Sequence, residues 1–252
     1  MSLLAQKYPW SKWRKHVALC NEQEIAAHLP ETAVLNHDNL HTFLRNHPVV
    51  YAKPSCGGGG KGVLKLMRCN DTVHIMTTTE RYHVPLASAF AKVKALSGKR
   101  SYIVQQGIDL IKIEGRPIDF RTLLLRPKTE WDYMGIMGKL AVKEQIVTNH
   151  CRGGSSISFA QAIAQSKGLA DEETGELEKR VEGLSLSIAQ ALHRKFPMIA
   201  ELGLDIGIDE CLNMWLIEAN TRPQYNLFKD HADLALYKRI DGIIRSVRLP
   251  LR

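Results

Sequence analysis

LGLDIGIDECLNMWLIEANTRP, residues 202–223, contains two β-rich runs, LGLDIGID (202–209) and MWLIEAN (214–220), and reads as a hairpin turning near 210–213. Asp205 lies on the first run, and Glu218 and Asn220 lie on the second, two residues apart. Side chains alternate along a strand, so Glu218 and Asn220 share a face and the turn brings Asp205 roughly across from them. Charged groups on an otherwise apolar strand are costly to bury unless they are paired or bound to a metal. Two carboxylates and an amide oxygen are hard donors that suit Mg²⁺ bridging nucleotide phosphates. Solvent exposure is the plain alternative for any one of these acids. Asp209 is a rival first ligand, and Asp205 is preferred because Asp209 sits nearer the turn.

Far upstream, VVYAKP (49–54) reads as a short strand, CGGGGKG (56–62) as a flexible loop and VLKLM (63–67) as a returning strand. Glycines let successive amides approach an anion without side-chain interference, and such a concave run suits triphosphate oxygens. Lys53 then stands at a strand end as a fixed positive charge, while Lys61 moves with the loop. Gly58, Gly59, Gly60 and Gly62 are the backbone candidates. Two familiar phosphate motifs fail here. Lys61 is followed by glycine, which breaks the P-loop pattern. Gly57, Gly59 and Gly62 match G-x-G-x-x-G only formally, because a strand follows where a dinucleotide fold has a helix.

The 252 residues allow a sizeable core, in one large domain or two joined lobes. A net charge of +8 favours an anionic partner without naming it. Nucleic acid is disfavoured, because the aromatics are not interleaved with a basic stripe. Lys12, Arg14 and Lys15 form one basic cluster, for which a solvated face is as good a reading as a functional one. No apolar run approaches a membrane span, and the first residues lack a secretory pattern, so a cytoplasmic protein is expected. The five cysteines are scattered and never spaced C-x-x-C, which predicts structural thiols of the kind commonly buried.

The other segments read as short helices and turns over 22–46, where Asn36 or Asp38 caps a helix carrying Leu40, Phe43 and Leu44, then a helix over 85–97 and a strand at 101–106. Paired strands follow at 118–126 and 132–142, then helices around 157–166 and 172–195 and a closing helix at 231–247. The helix at 172–195 is amphipathic, with Leu177, Val181, Leu184, Ile188, Ala191 and Leu192 on one face. Antiparallel pairs among helices make the fold class α+β rather than a doubly wound parallel sheet.

The lysine–glycine loop followed by Asp…E-x-N resembles the ATP-grasp superfamily, and the likeness runs from about residue 12 to 224. It is nearest to the YheC/YheD group, described as spore-coat-associated, through KP-x-x-G-x-x-GKG, YIVQQGIDL, RPIDFR, TNHCRGG and WLIEANTRP. The resemblance implies two α+β lobes gripping ATP between them. A short helical segment over 1–48 is expected first, then an N-terminal grasp lobe over 49–105 and a C-terminal lobe over 106–252. The domain that usually precedes the lobes is expected to be reduced or absent.

By the same resemblance Gln105, Gln106 and Ile108 lie on the segment that reads adenine. Asp119 is similar to the ribose-side acid, and Arg121 to a phosphate- or substrate-binding arginine. Asn149 and Arg152 resemble the N-x-x-R-G-G turn of RimK-type glutamate ligases. Lys139 stands where relatives commonly carry arginine, and the turn 210–213 lacks its usual glycine. Asp205, Glu218 and Asn220 fall where the family binds Mg²⁺, with Mn²⁺ as a substitute. The expected activity is carboxylate–amine ligation through an acyl phosphate, on a peptide or amino-acid substrate oriented by Arg121, Arg152 or Arg222. A kinase on the same scaffold and a non-catalytic nucleotide-dependent binding protein are the alternatives.

Overall fold

A computed structural model describes residues 10–141 and 155–248. The first helix, α1 (Lys12–Cys20), starts at Ser11, whose hydroxyl caps Arg14 N. The short α2 (Gln23–Ala26) and strand β1 (Thr32–Val34) follow. Helix α3 (His37–Asn46) is capped by Asn36, whose side chain accepts a 2.7 Å bond from Asn39 N. Leu40, Phe43 and Leu44 are its buried face, and the helix stops before Pro48, as expected of a residue preceding proline.

Strands β2 (Val49–Pro54), β3 (Leu64–Cys69), β4 (Thr72–Met76) and β5 (Arg81–Pro85) come next, then α4 (Ala89–Ser97) and β6 (Tyr102–Gln106). They build a six-stranded antiparallel sheet in the order β1-β6-β2-β3-β4-β5. Its apolar face, which includes Val50, Ala52, Leu66, Val73, Ile75 and Val104, packs with α3 and α4. The sequence reading passed over β4 and β5. Pro85 ends β5 rather than opening a helix, and a 3₁₀ turn at Leu86–Ser88 leads into α4.

The second sheet is built from β8 (Arg116–Leu125), β9 (Asp132–Leu140), β10 (Ser155–Ser158), β11 (Glu201–Ile208) and β12 (Met214–Asn220). Its order is β10-β9-β8-β11-β12, with the short β7 (Lys112–Ile113) paired to β8. Helices α5 (Phe159–Lys167) and α6 (Asp171–Lys195) cover one face, together with Leu19 of α1 and Ile25 of α2. Leu177, Val181, Leu184, Ile188, Ala191 and Leu192 are all buried, as the helical period predicts. In α6 three acids occupy the first turn and His193, Arg194 and Lys195 the last, matching the helix dipole at both ends. The opposite face meets α7 (Leu234–Arg248) over Leu123, Leu125, Met134 and Met137.

Alternation along β8 therefore sends Phe120 and Leu124 to one layer and Leu123 and Leu125 to the other. Asp119 and Arg121 share the second face, which makes the functional cluster possible. Cys20, Cys56, Cys69 and Cys211 are free and exposed, so the expectation of buried structural thiols is corrected for these four. No described helix is long and apolar enough to cross a membrane.

Candidate active site

The hairpin forms as read, and its register is specific: Asp205 pairs directly with Glu218, and Gly203 with Asn220. A bulge between Asp205 and Ile206 leaves Ile217 as the extra residue on β12, next to Glu218. The glycineless turn is held by Leu212 in the left-handed region, at φ 62°. Asp209 organises it, accepting from Cys211 N, Asn213 N, Asn213 Nδ2 and Trp215 Nε1 at 2.9–3.1 Å. These bonds tie both Asp209 carboxylate oxygens to the turn.

Asp205 is also the register partner of Arg121 on β8. Its Oδ1 accepts from Arg121 Nε at 2.7 Å and from Lys139 Nζ at 2.8 Å. Lys139 reaches Asp119 Oδ2 at 3.0 Å as well, and all of these side chains are nearly inaccessible. Burial pushes the Asp205 carboxyl up, but Arg121 and Lys139 outweigh it and hold the group well below the usual carboxylate range. Gly203 gives Arg121 room, since a Cβ there would stand 3.2 Å from its Cδ and 2.5 Å from Pro223 Cβ.

Across from this network, Lys53 is buried at the end of β2 and donates to Gln105 Oε1. Desolvation lowers its pKa to about 8 against the pull of Glu218, Asp205 and Asp119. The glycine loop follows, with Gly57, Gly59, Gly60 and Gly62 at φ between 66° and 104°, a backbone that other residues rarely adopt. Lys61 is exposed on it.

The sequence reading left Lys12 and Lys15 undecided, and both turn towards the site. Lys12 Nζ donates to Gly57 O at 2.6 Å and lies 3.3 Å from Glu218 Oε1, so it ties the glycine loop to β12. Lys15, also buried, donates to Ala219 O, and desolvation lowers its pKa to about 8. Arg14 instead lies over the Phe196 ring. The helical spacing of Lys12 and Lys15 behind a Ser11 cap was the available signal, since it gives one face of a helix two cations.

These lysines, with Lys53, Gln105 and Glu218, line a cleft whose apolar wall includes Leu19, Ile103 and Leu216. Gln105 Nε2 donates to Thr32 Oγ1, while Gln106 is tied to Glu31 through its side chain and its backbone N–H. Ile108 is half-buried just beyond, and Arg222 is exposed past the end of β12. Asn149 and Arg152 lie outside the described residues.

Five cations, Lys12, Lys15, Lys53, Arg121 and Lys139, face three carboxylates, Asp119, Asp205 and Glu218, an excess of two positive charges. Such a site attracts a polyanion rather than a bare divalent ion. Among the described residues no three His, Cys, Asp or Glu side chains gather into a metal cage. Asp205, Glu218 and Asn220 are all hard oxygen donors, so they fit a Mg²⁺ ion whose coordination is completed by phosphate oxygens. Asn220 now turns Nδ2 to Asp205 Oδ2 at 3.4 Å, and a half-turn of the amide would present its oxygen.

A sequence profile for the family described as YheC/D like ATP-grasp matches residues 3–244. The endospore coat-associated protein YheD of Bacillus subtilis (strain 168) is 28% identical over 235 residues, covering 87% of this chain and 51% of that protein. YheC of the same organism is 24% identical over 218 residues, with coverages of 84% and 59%. The chain thus spans about half the length of the curated relatives it matches. Among solved structures, the VanG D-Ala:D-Ser ligase of Enterococcus faecalis superposes with a TM-score of 0.55 at 13% identity, covering 94% of this chain and 61% of that one. That last likeness is one of fold.

Proposed function

The chain belongs to the YheC/D-like ATP-grasp family, and on that premise we propose that it is a Mg·ATP-dependent ligase joining a carboxylate to an amine. The observation that supports this best is the pairing of Asp205 with Glu218 beside an excess of positive charge. The two lobes, 49–105 and 106–252, are taken to hold ATP between them, with residues 1–48 leading in and lending β1 and α3 to the first sheet and its core. Cytoplasmic location goes with this use of ATP.

In this reading Lys53, Lys61 and the amides of Gly58, Gly59, Gly60 and Gly62 cradle the phosphates. Gln105, Gln106 and Ile108 border the base, and Asp119 lies on the ribose side. Asp205, Glu218 and Asn220 would hold Mg²⁺, which would supply charge neutralisation at the phosphates. Arg121 and Lys139, locked in place by Asp205 and Asp119, keep positive charge where the transferred phosphoryl group passes. The substrate carboxylate, oriented by Arg121, Arg152 or Arg222, attacks the γ-phosphorus, breaks its bond to the bridging oxygen so that ADP leaves, and becomes an acyl phosphate. An amine then displaces phosphate to give the amide, with Asn149 and Arg152 at the acyl end by resemblance. Positioning and electrostatics supply the rate, and no side-chain nucleophile is required.

The test is an ADP-release screen with Mg·ATP against amino acids, peptides and small acids, followed by mass spectrometry of the product. Ligation yields ADP, phosphate and a condensed product. A stable phosphorylated acceptor would make the chain a kinase, and ATP binding with no stimulated ADP release would make it a binding protein.

A further inference from the structure

The first sheet carries a second chemical cluster on its outer strands. His74 and His83 are register partners across β4 and β5. The bonds Thr77 N to Glu80 O and Leu86 N to Asp71 O bracket that hairpin from its two ends. Alternation counted inward from either end makes His74–His83 a non-hydrogen-bonded pair, the kind whose side chains lie closest. Their ring centroids are 4.0 Å apart and the planes are tilted by 43°. On its other side His74 is the register partner of Met67 on β3. Met67, His74 and His83 therefore form one row across three strands, all on one face.

The same parity puts Cys69 and Met76 on this face, one pleat away from the row. The strands β3, β4 and β5 contain no aspartate or glutamate, and the charged side chains they add to this face are Lys65 and Arg81. That composition rejects hard cations, which need oxygen donors and negative charge. Two imidazoles beside a thioether select a soft ion of low charge, and among the described residues no third His, Cys, Asp or Glu joins them. His83 is exposed and His74 and Met67 are half-buried, so the row is open to solvent. It runs outward over β3, β4 and β5 from the strand next to β2, which carries Lys53.

We propose that His74, His83 and Met67 form a binding site for copper in its cuprous state. The two imidazoles bind first, as neutral rings through one nitrogen each, and the Met67 thioether completes a three-coordinate set. Nothing in this site depends on the ligase reading, since none of its residues touches the Lys53–Asp205–Glu218 cluster.

The experiment is an anaerobic titration of the full chain with Cu(I) against a chromophoric chelator. One equivalent should be withheld from the chelator by the wild-type protein. In the His74→Asn/His83→Asn protein, with unchanged circular dichroism and ATP binding, that affinity should fall by about 100-fold or more, since direct ligands matter at least as much as their supporting partners. Equal retention in both proteins, or no retention in the wild type, overturns the site. Should the double variant fail to fold, X-ray absorption on copper-loaded wild type decides. A mixed nitrogen–sulfur shell that loses sulfur in Met67→Leu is expected, and an unchanged shell in that variant overturns the thioether ligand.

Discussion

Asp205 and Glu218 face each other in register across β11 and β12, yet they are held by different cations, Asp205 by Arg121 and Lys139 and Glu218 by Lys12. The first is a nearly inaccessible keystone of the second sheet. The second sits at the cleft, with its cation supplied by the opening helix. Two acids assigned to one metal thus carry different structural burdens.

Replacing Asp205 by asparagine leaves two buried cations short of a partner and should cost about 3 kcal/mol of stability. Glu218→Gln loses one partly solvated pair and should cost less than about 1 kcal/mol. Urea unfolding of the two variants measures the difference. Equal costs would contradict the division of roles.

Acid should expose the same asymmetry. The folded-state pKa of Asp205 is depressed, so its stabilisation is present above the ordinary carboxylate range and drains away as pH falls below about 4. Melting curves of the wild type should steepen their decline there, and those of Asp205→Asn should lack that component.

Nucleotide binding should depend on pH near 8. Lys53 and Lys15 both have pKa values lowered to about 8, chiefly by desolvation. Phosphate favours their charged forms, so binding should be tightest below pH 8, weaken above it and take up protons in that window. Calorimetry at pH 7 and pH 9 in two buffers of different ionisation enthalpy reads both effects. Identical affinity and no proton uptake at pH 9 would contradict it.

Asp209→Ala removes four hydrogen bonds from the turn that carries Leu212 at positive φ. It should destabilise the chain by about 2 kcal/mol and leave ATP affinity unchanged. Loss of Mg·ATP binding in a folded Asp209→Ala protein would restore it as a ligand.

The hairpin at 202–220 was legible because period-two alternation fixes which side chains share a face, and the register then placed Asp205 opposite Glu218. The cap at Asn36 and the apolar stripe of α6 were equally local signals. Strands β4 and β5 went unread although TVHIM (72–76) and RYHVP (81–85) alternate polar and apolar residues, because each run is only five residues long and the polar turn Thr77–Glu80 separates them. The destination of Lys12 and Lys15 was out of reach for a different reason. Each meets a residue about 200 positions away, Glu218 or Ala219, and no local pattern encodes such a contact.

The central claim is that Lys53 and the glycine loop, with Asp205, Glu218 and Asn220, hold Mg·ATP. It is tested most directly by calorimetric titration of ATP, with and without Mg²⁺, into wild-type protein and folded Glu218→Gln and Lys53→Ala variants. The wild type should bind ATP in a Mg²⁺-dependent way, Glu218→Gln should lose the Mg²⁺ dependence, and Lys53→Ala should lose most of the affinity. Mg²⁺-dependent binding of undiminished strength in Glu218→Gln would contradict the account.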